Sequence, residues 1–154
     1  MSDWSSVVAT FLFCVGSAVI PAMHAEAYLI TVSALTPPAL AWALVFSATV
    51  GQMLGKIAIY SAARGALRLP IERIRGRIAA VAARYESHRG VGNGLIFLSA
   101  ASGLPPFYAI SVAAGMLRVP LGSFVGFGTA GRFLRFTVAV FLPELIEQRL
   151  RAAL

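Results

Sequence analysis

Charged side chains are scarce in this chain, and four of them stand inside apolar sequence. Glu26 is the sole acid between Asp3 and Glu72, five residues after Pro21. A carboxylate beside a proline break in apolar sequence is held away from water, a setting in which an acid can carry a proton. Glu26 is therefore a candidate for proton coupling; the plain alternative is a glutamate at an exposed loop tip, and the neighbouring His24 reads as a loop or interfacial residue. Arg132 and Arg135, three apart, share one helical face, and a guanidinium at the centre of a bilayer costs at least ~2.5 to 3.5 kcal/mol on insertion scales. They need partners, and a phosphate, Glu26 or the free carbonyls of a broken helix would serve; the planar fork of arginine suits phosphate especially well. Snorkelling from a shallow position is the competing explanation. Arg118, Arg132 and Arg135 together form the candidate headgroup-binding set. Gln52, Lys56 and Tyr60 in an earlier helix, with Ser102 and Tyr108 around a second proline break, are candidates to line the same cavity.

Other chemistry is poorly provided for. One cysteine and two histidines, with no spaced His, Asp and Ser set, offer no nucleophilic machinery, so neither an enzyme nor a metal or cofactor site is expected. Cys14, inside an apolar run, reads as packing. Gly126-Phe-Gly-Thr-Ala-Gly131 matches a dinucleotide fingerprint by letter but has no strand before it, and is a chance match.

The elements that must position these residues follow from hydropathy and proline. The chain of 154 residues is 58% hydrophobic and 12% charged, too little polar surface to cover a soluble globule. Ala27 to Gly55 and Gly90 to Leu117 contain no charged residue, and each run exceeds the ~20 residues that span a bilayer. Ser5 to Ile20 is apolar and stops at Pro21; Ala27 to Leu35 is apolar and stops at Thr36-Pro37-Pro38; a long helix is expected over Ala39 to Ala63. Gly90-Val-Gly-Asn-Gly94 reads as a turn, Leu95 to Ala101 as apolar, Ser102 to Pro106 as a break, Phe107 to Leu117 as apolar again. A last helix begins at about Leu121, runs beyond Leu142 and gives way to a mixed tail from Pro143 to Leu154.

The net charge of +7 is concentrated, with seven of thirteen basic residues between Arg64 and Arg89. Ile71, Ile74, Ile78, Val81 and Tyr85 form one stripe with arginines beside it, and Pro70 suits a first helical turn, so residues 64–90 read as a basic amphipathic connector on the cytoplasmic membrane surface. Without aromatic or zinc-ligand groups beside the charge, nucleic acid is not an expected partner. The N-terminus lacks the basic n-region of a signal peptide and reads as retained.

Setting Pro21 against Pro105 brings Pro37-Pro38 against Pro120, about sixteen residues on in each case, and a polar step beside glycine follows in both long helices. The chain therefore reads as one membrane domain, residues 1–154, with a first repeat at 4–63, the connector, a second repeat at 91–143 and a tail at 144–154. Proline breaks survive in hydrocarbon only where protein or water satisfies the freed backbone groups. The hairpin breaks at Pro21, Pro105 and Pro106 thus predict an all-α polytopic membrane protein with two re-entrant helical hairpins and an inverted repeat of hairpin plus transmembrane helix, although two kinked spanning helices would show the same breaks. Gly51-x-x-x-Gly55 and Gly122-x-x-x-Gly126 are expected to serve close helix packing, and leave room for a homo-oligomer.

Ile20-Pro21 with Glu26, then Gly51-x-x-x-Gly55-x-x-x-x-Tyr60 with Arg64-Gly65, resemble the first half of the DedA superfamily, the VTT-domain or SNARE-associated membrane proteins. Leu104-Pro105-Pro106, Ala114-Gly115, Arg118, Phe124 and Gly131-Arg132 with Arg135 resemble its second half, a re-entrant hairpin followed by an arginine-bearing helix. The resemblance runs from about Phe11 to Val140 and is to the compact branch. Gln52 stands where many members carry an acid or Asn, and Ser102 near where many carry an arginine. The resemblance implies two opposed re-entrant hairpins, a bacterial inner (plasma) membrane location, and movement of lipid phosphates, polyprenyl phosphate such as undecaprenyl phosphate or phospholipid, by a flippase or scramblase. Membrane lipids with anionic phosphate headgroups are then the partners. Two other functions fit the same residues: a proton- or ion-coupled small-solute transporter, in which Glu26 couples, and a non-transporting membrane assembly factor.

Overall fold

Backbone amides in hydrocarbon must be satisfied within their own segment, and this chain meets that demand with helices alone: among the described residues there is no strand. The computed structural model describes residues 3–20, 23–66 and 88–153. Among the described residues six α-helices follow in order: α1 Asp3–Val19, α2 Ala25–Leu35, α3 Ala41–Ala66, α4 Arg89–Ser102, α5 Phe107–Met116 and α6 Leu121–Ala153. A single 3-10 turn, Pro38–Leu40, leads into α3. Pro21 and the amphipathic stripe of residues 71–85 lie outside the described residues.

Two expected boundaries move. The Gly90–Gly94 turn is instead the first part of α4, and a side chain at Gly90 or Gly94 would meet nothing within 4 Å. Glycine costs a helix roughly 1 kcal/mol relative to alanine, less than leaving its amides unpaired in an apolar surrounding. Pro143 likewise does not end the last helix, which continues to Ala153; proline removes one hydrogen bond and kinks a helix without having to stop it.

The two long helices run antiparallel. Trp42, at the start of α3, lies 4.7 Å from Phe141 late in α6, and Tyr60, near the end of α3, lies 4.9 Å from Phe124 early in α6. Both are long and apolar enough to cross a membrane, over Pro38–Gly65 and Leu121–Pro143. At ~1.5 Å per residue the shorter helices α2 and α5 reach only about half the thickness of a hydrocarbon core. α2 lies against α1, where the rings of Phe13 and Tyr28 stack at 4.0 Å.

Helix pairing is reciprocal. α1 packs along α3 and α4 along α6, while α2 touches α6 and α5 packs on α3. Close approach in the first pair needs glycine: a Cβ at Gly51 would stand 2.6 Å from the Phe11 carbonyl oxygen. In the second pair the same role falls to Gly131, where a Cβ would stand 2.6 Å from the Phe97 oxygen. Gly122 and Gly126, expected to pack, face open space. The spacing of that motif was sound, but the helix presents a different face to α4.

Two apolar clusters result. One joins Cys14, Leu29, Leu44, Ala48, Phe136 and Val140; the other joins Met53, Tyr60, Ile96, Phe107, Val119 and Phe124. Because α3 and α6 are antiparallel, the first cluster holds the start of α3 and the late part of α6, the second the reverse. Outward, the chain shows Trp42, Phe46, Val50 and Leu54, spaced by four on α3, and Leu134, Val138 and Leu142 on α6. Inward, it buries Gln52, Lys56 and Arg132. Apolar outside and charged inside is the reverse of a soluble globule and is the distribution a lipid surrounding stabilises.

Candidate functional site

Between the two apolar clusters lies a polar layer. Arg132 stands midway along the apolar span Leu121–Pro143 of α6, and Gln52 close to the middle of Pro38–Gly65. Together with Glu26, Lys56, Tyr108 and Arg135 they line a cavity of about 190 Å³, whose wall is completed by Ser17, Met23, His24, Gly103, Pro106 and Phe107. The cavity therefore sits where the ends of both broken segments meet the middles of both long helices.

Each long helix spends a cation on the broken end of its neighbour. The last carbonyls of a helix have no partner within it. Lys56 Nζ donates to the Ala18 carbonyl at the end of α1, at 2.7 Å, and lies 5.3 Å from the Tyr108 ring. Arg135 Nη1 donates to the Ala101 carbonyl near the end of α4, at 3.4 Å. Gly103 makes that approach feasible: it caps α4 in the left-handed conformation, φ 82°, and a Cβ there would be 2.6 Å from Arg135 Nη1. Gly103 was not singled out from the sequence, although a glycine just past an apolar helical run and before two prolines carries that signal.

Glu26, in the first turn of α2, bridges the halves. Its Oε1 accepts from Arg135 Nε at 2.5 Å and lies 3.6 Å from Arg132 Nη1. A carboxylate near a helix N-terminus also meets the positive end of the helix dipole. Glu26 thus accepts a hydrogen bond from one guanidinium, pairs ionically with a second, and is no isolated acid. Arg132 in addition lies 5.0 Å from the face of Phe107, which offers its delocalised cation a second favourable contact.

Two buried polar atoms are left over. Gln52 is 4% exposed and Arg132 8%. The single hydroxyl proton of Ser17 goes to the Cys14 carbonyl at 3.0 Å, so Ser17 must accept from Gln52 Nε2, at 2.7 Å. That fixes the amide orientation and leaves Gln52 Oε1 without a partner among the described residues; Arg132 Nε is unpaired in the same sense. One orphan acceptor and one orphan donor, each nine-tenths buried, border a space where three basic side chains face one carboxylate. Orphans of this kind are rare in packed interiors and are expected where a ligand or ordered water completes the site.

Of the residues expected from the sequence, Glu26, Gln52, Lys56, Tyr108, Arg132, Arg135 and Pro106 border the cavity. Three do not. Tyr60 donates to the Val119 carbonyl at 2.5 Å, accepts from Arg64 at 2.7 Å, and belongs to the second apolar cluster. Ser102 is exposed and bonds the Leu98 and Leu104 carbonyls around the break, at 2.8 and 3.0 Å. Arg118 is exposed in the turn before α6, with φ 54°; α6 then runs about 17 Å before reaching Arg132. Pro105, with a cis bond to Leu104, forms the second break itself. The sequence did not single out Ser17, Met23 or Phe107, since a serine, a methionine and a phenylalanine in apolar sequence look like packing. Comparison with family models, with curated proteins and with solved structures finds no match to this chain.

Proposed function

We propose that the chain is a DedA-type transporter that moves lipid phosphates across the membrane as a flippase or scramblase, with the phosphate taken up between Arg132, Arg135 and Lys56. The observation that carries this reading is the polar layer at the middle of both long apolar helices, with its excess of basic side chains and its unpaired Arg132 Nε. A phosphate offers several acceptor oxygens to guanidinium forks, and its own hydroxyl, when protonated, can donate to Gln52 Oε1. In the empty site Glu26 holds both arginines; an incoming phosphate competes for them, and the released carboxylate is then free to take a proton. We read the two broken segments as re-entrant hairpins and the two halves as an inverted repeat. The antiparallel long helices, the half-length α2 and α5, and the reciprocal packing of each on the other half's long helix support that reading.

Reconstitution tests it. In liposomes carrying a polyprenyl phosphate, Arg132→Ala and Arg135→Ala are expected to abolish most transbilayer movement while the protein keeps its helical content. Wild-type rates in both variants contradict the assignment. Proton uptake driven by a water-soluble anion, without lipid movement, would favour a small-solute transporter instead.

A further inference from the structure

Beside the polar cavity lies a second hollow, of about 370 Å³, lined by Glu26, Ala101, Leu134, Arg135, Val138 and Ala139. The two spaces have Glu26 and Arg135 in common. Leu134 and Val138 are 47% and 46% exposed on the outer face of α6, in the row continued by Leu142. The hollow is therefore an aliphatic groove open to the outside of the helix bundle, with the ion pair at its inner end. Ala101 and Ala139, both small, leave room between α4 and α6.

We propose that this groove carries the hydrocarbon chain of a lipid whose phosphate occupies the cavity, with the Glu26–Arg135 pair as the collar where headgroup and chain join. This rests on the lipid-phosphate reading and assigns a path that the reading leaves open. Size argues for it. A cavity of about 190 Å³ is below the ~300–1,000 Å³ of pockets that engulf whole small molecules, so it can hold a phosphate-sized group while the chain lies elsewhere. Continuity argues for it as well, because the groove touches the cavity at Arg135, one of the anion-binding guanidiniums, and at Glu26, which pairs with both arginines. Composition completes the case: basic and amide groups on one side of the collar and aliphatic ones on the other match an amphiphile and no simple anion. Lipid tails are about as apolar as leucine, so the groove gains little binding free energy. Its effect is steric, letting a chain follow its headgroup to mid-membrane depth without crossing packed helices.

The test fills the groove without altering a charge, using Val138→Trp and, separately, Ala139→Leu. Binding of two probes to the full chain in nanodiscs is measured: a long-chain polyprenyl phosphate, and isopentenyl phosphate, which carries the phosphate on a short soluble stub. Both variants should weaken the long-chain probe by about tenfold or more, as expected when a blocked chain pulls the phosphate off at least one charge-assisted hydrogen bond, and leave the short probe unchanged. Unchanged long-chain binding, or equal weakening of both probes, overturns the groove. Arg132→Gln should weaken both probes; if it weakens neither, the phosphate reading has failed and the groove with it. A diazirine placed in the chain adds a readout independent of folding: it should label residues 134–139, and long-chain phosphate should compete the label away. Labelling spread equally over the exposed α3 row at 42–54 would contradict the assignment.

Discussion

Within the polar layer, the hydrogen bonds of the first half's long helix stay in that half, whereas those of the second half's long helix reach across. In the first, Gln52 and Lys56 satisfy their donors on α1, at Ser17 and the Ala18 carbonyl. In the second, Arg135 gives one nitrogen to its own half at Ala101 and another to Glu26 of the first half, and Arg132 leans toward Glu26 as well. Equivalent helix ends thus receive equivalent cations, but here the Arg135 guanidinium both caps a helix and holds a carboxylate, whereas the Lys56 ammonium caps its helix and pairs with no carboxylate among the described residues. The lysine half is a fixed wall. On the proposed reading, the arginine half carries the contacts that an incoming phosphate exchanges.

The largest contrast is expected from packing. Gly51→Leu or Gly131→Leu drives a side chain into a backbone carbonyl and should destabilise the fold by about 3 kcal/mol, read as thermal unfolding in a fixed detergent. Gly126→Leu, on open surface, should shift stability by no more than about 0.5 kcal/mol. Equal losses at Gly126 and Gly131 would break the pairing of α4 with α6.

A smaller effect separates the two cations. Arg135→Gln removes the closest partner of a carboxylate that is only partly exposed, and should cost about 2 kcal/mol, with Glu26→Gln restoring part of it in the double variant. Lys56→Met should cost about 1 kcal/mol, for its lost cap and its contact with the Tyr108 ring, and show no coupling to Glu26. Coupling between Lys56 and Glu26 as strong as that of Arg135 would erase the distinction between wall and exchangeable contact. Tyr60→Phe, which loses its bond to the Val119 carbonyl and the one it accepts from Arg64, should cost about 1 to 2 kcal/mol and leave lipid movement within about twofold.

Much of this arrangement was legible in the residues. Charges inside apolar runs are costly enough that Glu26, Arg132 and Arg135 pointed to one another, to a ligand or to free carbonyls as partners, and the prolines marked where carbonyls would be free. What spacing could not supply was direction. Gly122 and Gly126 have the right interval for close packing, yet which face of a helix meets its neighbour depends on the whole bundle. Tyr60 and Arg118 failed to join the cavity for a related reason: rise along a helix separates residues that a motif places together. Gly90 to Gly94 misled because glycine's turn preference is set in water, and α4 forms where unpaired amides are worse than flexible ones.

The most direct test compares the three arginines on one ligand. Binding of a long-chain polyprenyl phosphate in nanodiscs should fall at least about tenfold for Arg132→Gln and for Arg135→Gln, and stay within about twofold for Arg118→Gln, which lies outside the cavity. Loss of binding at Arg118 with retention at Arg132 and Arg135 would put the phosphate at the membrane surface and contradict a site between the two halves.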